Sequence, residues 1–309
     1  MTCNEKTILG IEKLKENISR LKKERNAVIL AHNYQIPEVQ DIADFTGDSL
    51  ELARKAADQK ADVIVFCGVD FMAETAAILS PDRTVLLPAK EANCPMAEMI
   101  TAGELRVLKD RFPEAAVVCY VNTTAEVKAE SDICCTSSNA LKVVQSLDAD
   151  QIIFIPDRNL GNYVARFTEK KIMPWEGFCF VHDRIEPEDV KKAQKLHPEA
   201  ELLVHPECRS EVIDMADHVA STSKMIEYVC RSGKKEFIIG TEVGILHRMK
   251  KDCPDKVCYP LSPQAICTNM KRTDLMKVYN SLQDLTPRVT VPSDIADRAR
   301  LAIQRMLEV

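Results

Sequence analysis

The sequence predicts an α/β fold in which three homologous small α/β domains with parallel sheets lie in a pseudo-threefold arrangement around a central active site. Three observations predict this fold. An apolar run, a small-residue turn and a helical pattern occur together three times in the 309 residues, at intervals of about 87 residues. Strand and helix patterns alternate within each repeat, which favours parallel sheets with right-handed crossovers. Each repeat also closes with a loop that carries a cysteine.

The first strand of each repeat is a short apolar run that ends in a polar or aromatic side chain. The runs read AVILAHNYQ, AAVVCYVNT and AELLVHPEC, and the residues that end them are His32, Tyr120 and His205. Ligands of parallel α/β sheets bind beyond the carboxyl ends of the strands. We therefore expect these three side chains to line a binding site.

A small-residue turn then starts a helix in each repeat, in TGDSLELARKA, CTSSNALKVVQ and ASTSKMIEYVC. The turns align Ser49, Ser137 and Thr222, and we interpret these Ser/Thr turns as helix N-caps. Free backbone N–H groups at a helix start favour anions. If the three turns face one axis, they form with the strand ends a single pocket suited to carboxylates or phosphate.

The second half of each repeat contains another strand, another helix and the cysteine loop. The strands are ADVIVFCG, ADQIIFIP and KEFIIGTE, the helices are FMAETAAIL, NLGNYVARF and VGILHRMKK, and the loops are EANCPM, EGFCFVH and QAICTNM. We predict α/β domains at residues 1–110, 111–195 and 196–289. A final helix at 290–309, with Ser293 as its N-cap, is expected to pack back on the first domain.

Composition restricts the class of protein. The chain is 46% hydrophobic and 28% charged with a net charge of −6, which is typical of a globular protein and argues against a broad nucleic-acid surface. No apolar stretch reaches the ~18 residues of a membrane helix, and the charged N-terminus does not resemble a signal peptide. We expect a cytoplasmic protein that binds neither nucleic acid nor membrane, with reduced thiols.

Twelve cysteines occur without any C-x-x-C pair. Zinc-ribbon, thioredoxin and ferredoxin spacings are therefore absent. Four cysteines lie in apolar surroundings and are expected to be core residues, namely Cys67, Cys119, Cys230 and Cys258.

Three further cysteines occupy matching loop positions, Cys94, Cys179 and Cys267, which are 85 and 88 residues apart. If they converge, three thiolates hold a metal centre with one open position. One interpretation is a [4Fe–4S] cluster in which one iron lacks a protein ligand and acts as a Lewis acid on a substrate oxygen. A Cys₃ zinc site with a bound water is the alternative.

Ten short blocks extend this pattern over roughly residues 25 to 275. In chain order they are AHNYQ, GDS, CGVDFMAE, CYVNT, CTSSNA, GFCFVH, HPEC, STSKM, TEVG and CTNMK. Together they resemble the signature blocks of the quinolinate synthase family, the A protein of NAD biosynthesis. The resemblance implies a three-domain pseudo-threefold fold and a [4Fe–4S] cluster with three cysteine ligands and one open iron. It also implies condensation of iminoaspartate (iminosuccinate) with dihydroxyacetone phosphate to give quinolinate, phosphate and water.

The resemblance also implies roles for individual residues. Tyr34 and Glu207 are our candidates for the general acid and base of an isomerisation between adjacent carbons, with His205 orienting or moving a proton. The open iron would polarise a hydroxyl during dehydration. The implied cluster ligands are Cys94, Cys179 and Cys267. The implied substrate-binding residues are His32, Ser49, Tyr120, Asn122, Ser137, His205, Glu207 and Thr222.

Some family members carry C-x-x-C-x-x-C around the last ligand. Leu261 and Gln264 stand at those positions here, so we do not expect a disulfide switch there. The implied reaction also gives a functional link to an aspartate oxidase or aspartate dehydrogenase, which would supply iminoaspartate.

Two other functions stay open. An aconitase-like iron–sulfur hydro-lyase would use the same cysteines, and an iron–sulfur redox sensor would not be an enzyme. The negative net charge and the polar pocket residues argue against the sensor. A radical-SAM enzyme is disfavoured because C-x-x-x-C-x-x-C is missing, and the sequence has no GxGxxG or P-loop motif.

Overall fold

A computed structural model describes residues 3–309, with side chains from residue 10 onward. The strands of this part of the chain form three four-stranded sheets, and every pairing within them is parallel. The predicted α/β class, with three parallel sheets, is confirmed. The pseudo-threefold placement of the three units stays a prediction, as do their domain boundaries.

The helices and strands follow one another in the order that the repeats predict. Around the first sheet lie α1 (Cys3–Glu24), β1 (Ala27–His32), α2 (Pro37–Ile42), β2 (Phe45–Gly47), α3 (Ser49–Ala57), β3 (Val63–Cys67), α4 (Asp70–Leu79) and β4 (Thr84–Leu86). Around the second lie α5 (Ala102–Arg111), β5 (Ala116–Tyr120), α6 (Ala125–Ala129), β6 (Ile133–Cys135), α7 (Ala140–Ser146), β7 (Gln151–Ile155), α8 (Arg158–Ala165) and β8 (Lys171–Pro174).

The third sheet and the C-terminal helices complete the chain. They comprise α9 (Phe180–Asp183), α10 (Pro187–Leu196), β9 (Glu201–Val204), α11 (Ser210–Ile213), β10 (His218–Val219), α12 (Thr222–Arg231), β11 (Glu236–Gly240), α13 (Ile245–Asp252), β12 (Val257–Pro260), α14 (Leu275–Asp284) and α15 (Ser293–Glu308). The strand orders are β2-β1-β3-β4, β6-β5-β7-β8 and β10-β9-β11-β12. All three sheets therefore have the same topology.

Strand β1 illustrates why the apolar runs form central strands. Ile29, Leu30 and Ala31 are fully buried. Leu30 packs into one hydrophobic cluster, whereas Ile29 and Ala31 pack into another. Successive side chains of a strand point to opposite faces, so a strand covered on both faces must be apolar throughout.

The three repeats also share a hydrogen bond at the start of the central strand. In each, an aspartate accepts the backbone N–H of a strand residue that lies fifteen positions earlier in the chain. The pairs are Asp44 with Ile29 (2.8 Å), Asp132 with Val117 (2.7 Å) and Asp217 with Leu202 (2.8 Å). This shared detail supports the interpretation that the units are homologous.

Helix α15 packs against α4 of the first repeat and against α6 and β6 of the second. Its last turns thus lie across two units, whereas the sequence predicted contact with the first. Ser293 is the first helical residue and not the N-cap, which is Pro292. In residues 3–309, no helix combines the length and the apolar character that a membrane span requires.

The cysteines outside the loops are not all free. Cys67 and Cys119 are free buried thiols, and Cys258 is free and half-buried. Cys230, however, forms a disulfide with Cys253, which joins the end of α12 to the end of α13 across a Cα–Cα distance of 5.2 Å. The prediction that Cys230 is a core residue is therefore wrong: Cys230 is exposed, and the packing of α12 on α13 brings its sulfur to that of Cys253.

Candidate active site

One pocket collects all the residues that the sequence predicted for the site. The predicted residues that line it are His32, Tyr34, Ser49, Cys94, Tyr120, Asn122, Ser137, Cys179, His205, Glu207, Thr222 and Cys267. They come from strand ends, helix starts and cysteine loops of all three repeats. Their individual roles stay predictions.

Two histidines of this pocket, His32 and His205, share one tautomer. His32 Nδ1 accepts the backbone N–H of Tyr34 (3.2 Å), and His205 Nδ1 accepts that of Glu207 (3.3 Å). These bonds assign the proton of each neutral ring to Nε2. Burial lowers the pKa of His32 to about 4, and burial together with the nearby His182 lowers the pKa of His205 to about 3. Both imidazoles are therefore neutral at pH 7 and can donate a hydrogen bond from Nε2.

Four buried side chains form a continuous chain of hydrogen bonds along the pocket. Tyr34 Oη lies 2.5 Å from Thr241 Oγ1, and Thr241 Oγ1 lies 2.8 Å from His182 Nε2. The other ring nitrogen, His182 Nδ1, lies 2.6 Å from Glu207 Oε2. The chain joins a phenol to a carboxylate through a hydroxyl and an imidazole, and each of these groups can hold or pass a proton.

Glu207 keeps its negative charge although it is buried. Burial raises a carboxyl pKa, but the neighbouring His182 and His205 outweigh that effect and lower the pKa of Glu207 to about 2. Burial, with the charge of Glu207, raises the pKa of Tyr34 and Tyr120 well above the ordinary value. Glu207 therefore offers the pocket a carboxylate acceptor, and Tyr34 and Tyr120 offer phenol donors.

Two buried oxygen atoms of the pocket have no hydrogen-bond partner among the described residues. They are Glu207 Oε1 and Asn122 Oδ1. Buried polar atoms in folded proteins nearly always have a partner. A bound ligand with hydrogen-bond donors would supply the missing partners of these two oxygens.

The starts of three helices meet beside the pocket. Asp48 caps α3 and accepts the backbone N–H of Leu50 and Glu51. Ser138 Oγ donates to Asp48 Oδ2 (2.7 Å) and lies 2.7 Å from Oγ of Ser221, the N-cap of α12. This contact joins the turns of all three repeats.

The prediction that the Ser/Thr turns supply the caps is only partly right. Ser49 and Thr222 are the first residues of α3 and α12, and the residue before each is the N-cap. Ser137 lies two residues before Asn139, which is the N-cap of α7. Ser49 and Thr222 nevertheless both line the pocket.

Residues 16–308 match the family described as "NadA: Quinolinate synthetase A protein". The chain belongs to this family. It is 68% identical over 294 residues to the quinolinate synthase of Methanoregula boonei, which covers 95% of this chain and 97% of that protein. It is 56% identical over 298 residues to the quinolinate synthase of Dehalococcoides mccartyi, covering 96% of this chain and 99% of that protein.

A third relative, the quinolinate synthase of Clostridium kluyveri, is 56% identical over 297 residues, covering 96% of this chain and 98% of that protein. The resemblance stated from the sequence blocks is confirmed, and so is the prediction that the chain is an enzyme. The relatives match over nearly the full chain, so the family covers all three repeats.

The spacing of the three cysteine sulfurs in this member of the quinolinate synthase family can be compared with the spacing that each predicted metal centre needs. Zn–S bonds of about 2.3 Å would bring any two sulfurs within about 4.6 Å. Among the described side chains, Cys94, Cys179 and Cys267 do not form a group whose sulfurs all lie within 4.8 Å. In a [4Fe–4S] cluster each thiolate binds a different iron, which allows wider spacing. Three thiols that line one pocket are thus a donor set compatible with a cluster, which stays a prediction.

Burial favours the protonated form of the three thiols. Burial raises the pKa of Cys94, Cys179 and Cys267. Their thiolate forms therefore need a cation close by, because a buried negative charge is costly without one.

A second donor group lies beside them. Cys179, His182 and Glu207 have ligand atoms within 4.8 Å of one another. His182 Nδ1 faces both partners, Cys179 Sγ at 3.2 Å and Glu207 Oε2 at 2.6 Å. Because these donors already contact one another, we interpret the group as hydrogen-bonded side chains.

Several residues of the site were not singled out from the sequence. His182 and Thr241 complete the hydrogen-bonded chain, and Asp48 and Glu242 line the pocket. The positions equivalent to His182 in the other repeats are Ala97 and Met270, so repeat comparison carries no signal for it. Glu242 did leave a signal, because an acidic residue follows β3, β7 and β11 alike, at Asp70, Asp157 and Glu242.

Proposed function

We propose that this chain is a quinolinate synthase of NAD biosynthesis. In the proposed reaction it condenses iminoaspartate with dihydroxyacetone phosphate, giving quinolinate, phosphate and water. One observation carries the proposal beyond the family name. Residues predicted from blocks spread between His32 and Cys267 line one pocket, with groups suited to each part of the chemistry.

The carboxylates and the phosphate of the substrates need hydrogen-bond donors and positive potential. The Nε2–H groups of His32 and His205 and the helix starts at Ser49 and Thr222 provide donors in the pocket. Neutral imidazoles hold an anion without forming a permanent ion pair, so the product can leave. Asn122 and Tyr120 would hold the substrate in the orientation needed for carbon–carbon bond formation.

Isomerisation between a ketone and an aldehyde requires proton transfer at two neighbouring carbons. We assign the carboxylate of Glu207 as the base and the phenol of Tyr34 as the acid. Thr241 and His182 connect the two groups by hydrogen bonds. A proton taken up at Glu207 can therefore be returned to Tyr34 along this connection. His205, stacked on His182 with ring centroids 4.4 Å apart, orients the imidazole.

Cys94, Cys179 and Cys267 would hold the proposed [4Fe–4S] cluster. When bound, its open iron supplies a Lewis acid that polarises a hydroxyl during dehydration. We also propose that the enzyme is cytoplasmic. Its unstable substrate would come from an aspartate oxidase or an aspartate dehydrogenase.

The test is an anaerobic purification followed by two measurements on the same sample. Iron and sulfide per chain are determined, and quinolinate is assayed from iminoaspartate and dihydroxyacetone phosphate. We expect about four irons per chain and quinolinate formation, with both lost in Cys179→Ala. Cys258→Ala, which removes a free thiol outside the pocket, is the matched control and should retain both.

Two results would overturn the proposal. A cluster without quinolinate formation would favour a hydro-lyase or a sensor. A folded anaerobic sample that contains zinc, or no metal, would exclude the cluster.

A further inference from the structure

Each of the three cysteines donates its backbone N–H to an acidic side chain of its own repeat. The acids occupy equivalent positions two or three residues after β3, β7 and β11, at intervals of 87 and 85 residues. The bonds are Cys94 to Asp70 Oδ1 (3.2 Å), Cys179 to Asp157 Oδ2 (3.0 Å) and Cys267 to Glu242 Oε1 (3.1 Å). The repetition of one contact in three different loops makes a chance arrangement a poor explanation.

The same acids also bind the start of the helix that follows the strand. Asp70 Oδ1 accepts the N–H of Phe71 (2.8 Å), Asp157 Oδ1 that of Leu160 (2.6 Å) and Glu242 Oε2 that of Gly244 (2.7 Å). Each carboxyl therefore connects a cysteine loop to a rigid helix start. A carboxylate at a helix N-terminus is stabilised by the helix dipole.

Asp157 and Glu242 are fully buried, and Asp70 is half-buried. Glu242 also forms an ion pair with Lys271, at 2.9 Å between Oε1 and Nζ. A buried carboxyl is costly unless it is hydrogen-bonded or paired, and each of these three carboxyls accepts backbone N–H groups from a cysteine loop and from a helix start. The hydrogen bonds of each carboxyl thus hold its cysteine loop against the start of a helix.

We propose that Asp70, Asp157 and Glu242 are positioning residues for the metal centre. They fix the three cysteine loops toward the pocket, and Asp70 and Glu242 also place negative charge near the sulfurs. Groups that orient metal ligands commonly change metal affinity 10–100-fold when removed. Because each carboxyl takes up the cysteine N–H, that N–H is not available to the sulfur. Fewer hydrogen bonds to sulfur and more nearby negative charge both keep a cluster's reduction potential low. This inference rests on the proposed function, since it assumes a cluster on the three cysteines.

Asp70 is the best position for a test because it is only half-buried. Asp70→Ala removes the acceptor, and Asp70→Asn keeps a carbonyl acceptor but removes the charge. In the anaerobic holoenzyme, we expect Asp70→Ala to lose iron to a chelator roughly tenfold faster or more. We expect Asp70→Asn to retain iron and to show a more positive reduction potential in an EPR-monitored titration.

Asp132→Asn is the matched control. Asp132 is also half-buried and also accepts a backbone N–H, from Val117 at the opposite end of the strand from the pocket. Asp132→Asn should lower the free energy of unfolding without changing the rate of iron loss or the reduction potential of the cluster. If Asp70→Ala fails to fold, the reduction potentials of Asp70→Asn and Glu242→Gln carry the test, because both variants keep an acceptor and remove the charge.

The inference is overturned if the Asp70 and Glu242 variants lose iron at the wild-type rate and have the wild-type potential. Wild-type enzyme that carries a cluster and makes quinolinate in that experiment would leave the proposed function intact. Wild-type enzyme without a cluster would overturn both.

Discussion

The hydroxyl groups of Tyr34 and Thr241 lie 2.5 Å apart, although the two residues belong to different repeats. Tyr34 follows β1 of the first repeat, and Thr241 follows β11 of the third. Thr241 is buried and does not itself line the pocket. It holds the phenol of Tyr34 at one side and the imidazole of His182 at the other. The catalytic assignments of Tyr34 and Glu207 therefore depend on a residue that need not contact the substrate.

Thr241→Val should lower kcat roughly 10- to 100-fold with little change in KM, because the isosteric side chain misplaces Tyr34 and His182 without altering the pocket surface. Steady-state kinetics on the anaerobic enzyme measure both constants. Thr241→Ser keeps the hydroxyl and should recover most of the activity. Equal losses in the two variants would contradict the role of the hydroxyl group.

Glu207→Gln should lower turnover about 10²- to 10⁴-fold, because the amide cannot accept a proton from carbon. Its shape is retained, so iron per chain should equal that of the wild type. Iron content and quinolinate formation are measured on the same sample. A variant with an intact cluster and unchanged turnover would remove Glu207 from the mechanism.

Acid should destabilise the fold through the two neutral histidines. An unfolded histidine has a pKa near 6.5, whereas the folded values are about 4 for His32 and about 3 for His205. Because the unfolded chain binds more protons, the stability from each neutral ring is present above pH 6.5 and is lost as the pH falls toward the folded pKa. Each histidine contributes up to about 1.4 kcal/mol per pH unit in this window.

Urea unfolding of the metal-free chain between pH 5 and 7 measures this slope. His32→Asn keeps an acceptor for the Tyr34 N–H and should make the slope shallower by about the contribution of one histidine. The same slope in variant and wild type would mean that His32 is charged in the folded state.

Ser138→Ala should lower the free energy of unfolding by about 1–3 kcal/mol, since it removes the hydroxyl that joins Asp48 to Ser221 and leaves both without this partner. Urea unfolding measures the change. Ser146→Ala, which removes a local bond to Val143 O within one helix, is the control and should cost less. If the two changes are equal, the contact between the three turns adds nothing to stability.

The sequence was sufficient for the sheets because each repeat contains a self-contained pattern of apolar strand and capped helix. Comparing repeats also found the cysteines, since Cys94, Cys179 and Cys267 occupy matching loops. The same comparison could not find Thr241, whose equivalents are Val69 and Pro156. Its role arises only from contacts between repeats, which have no counterpart in local periodicity.

The disulfide between Cys230 and Cys253 was missed for the same reason. The two cysteines are 23 residues apart and lie in different helices, so only the packing of α12 on α13 reveals the pair. Helix α15 likewise shows no sequence sign that it contacts the second repeat as well as the first.

The residues that follow the three strand ends at the pocket differ in their chemistry. Two residues after His32, Tyr120 and His205, the chain has Tyr34, Asn122 and Glu207. Three equivalent loops thus offer a phenol, an amide and a carboxylate at matching positions. Identical copies would have given an unsymmetrical ligand three interchangeable ways to bind, of which only one would be productive. The difference between these three positions removes that degeneracy, so an unsymmetrical ligand has one preferred orientation in the pocket.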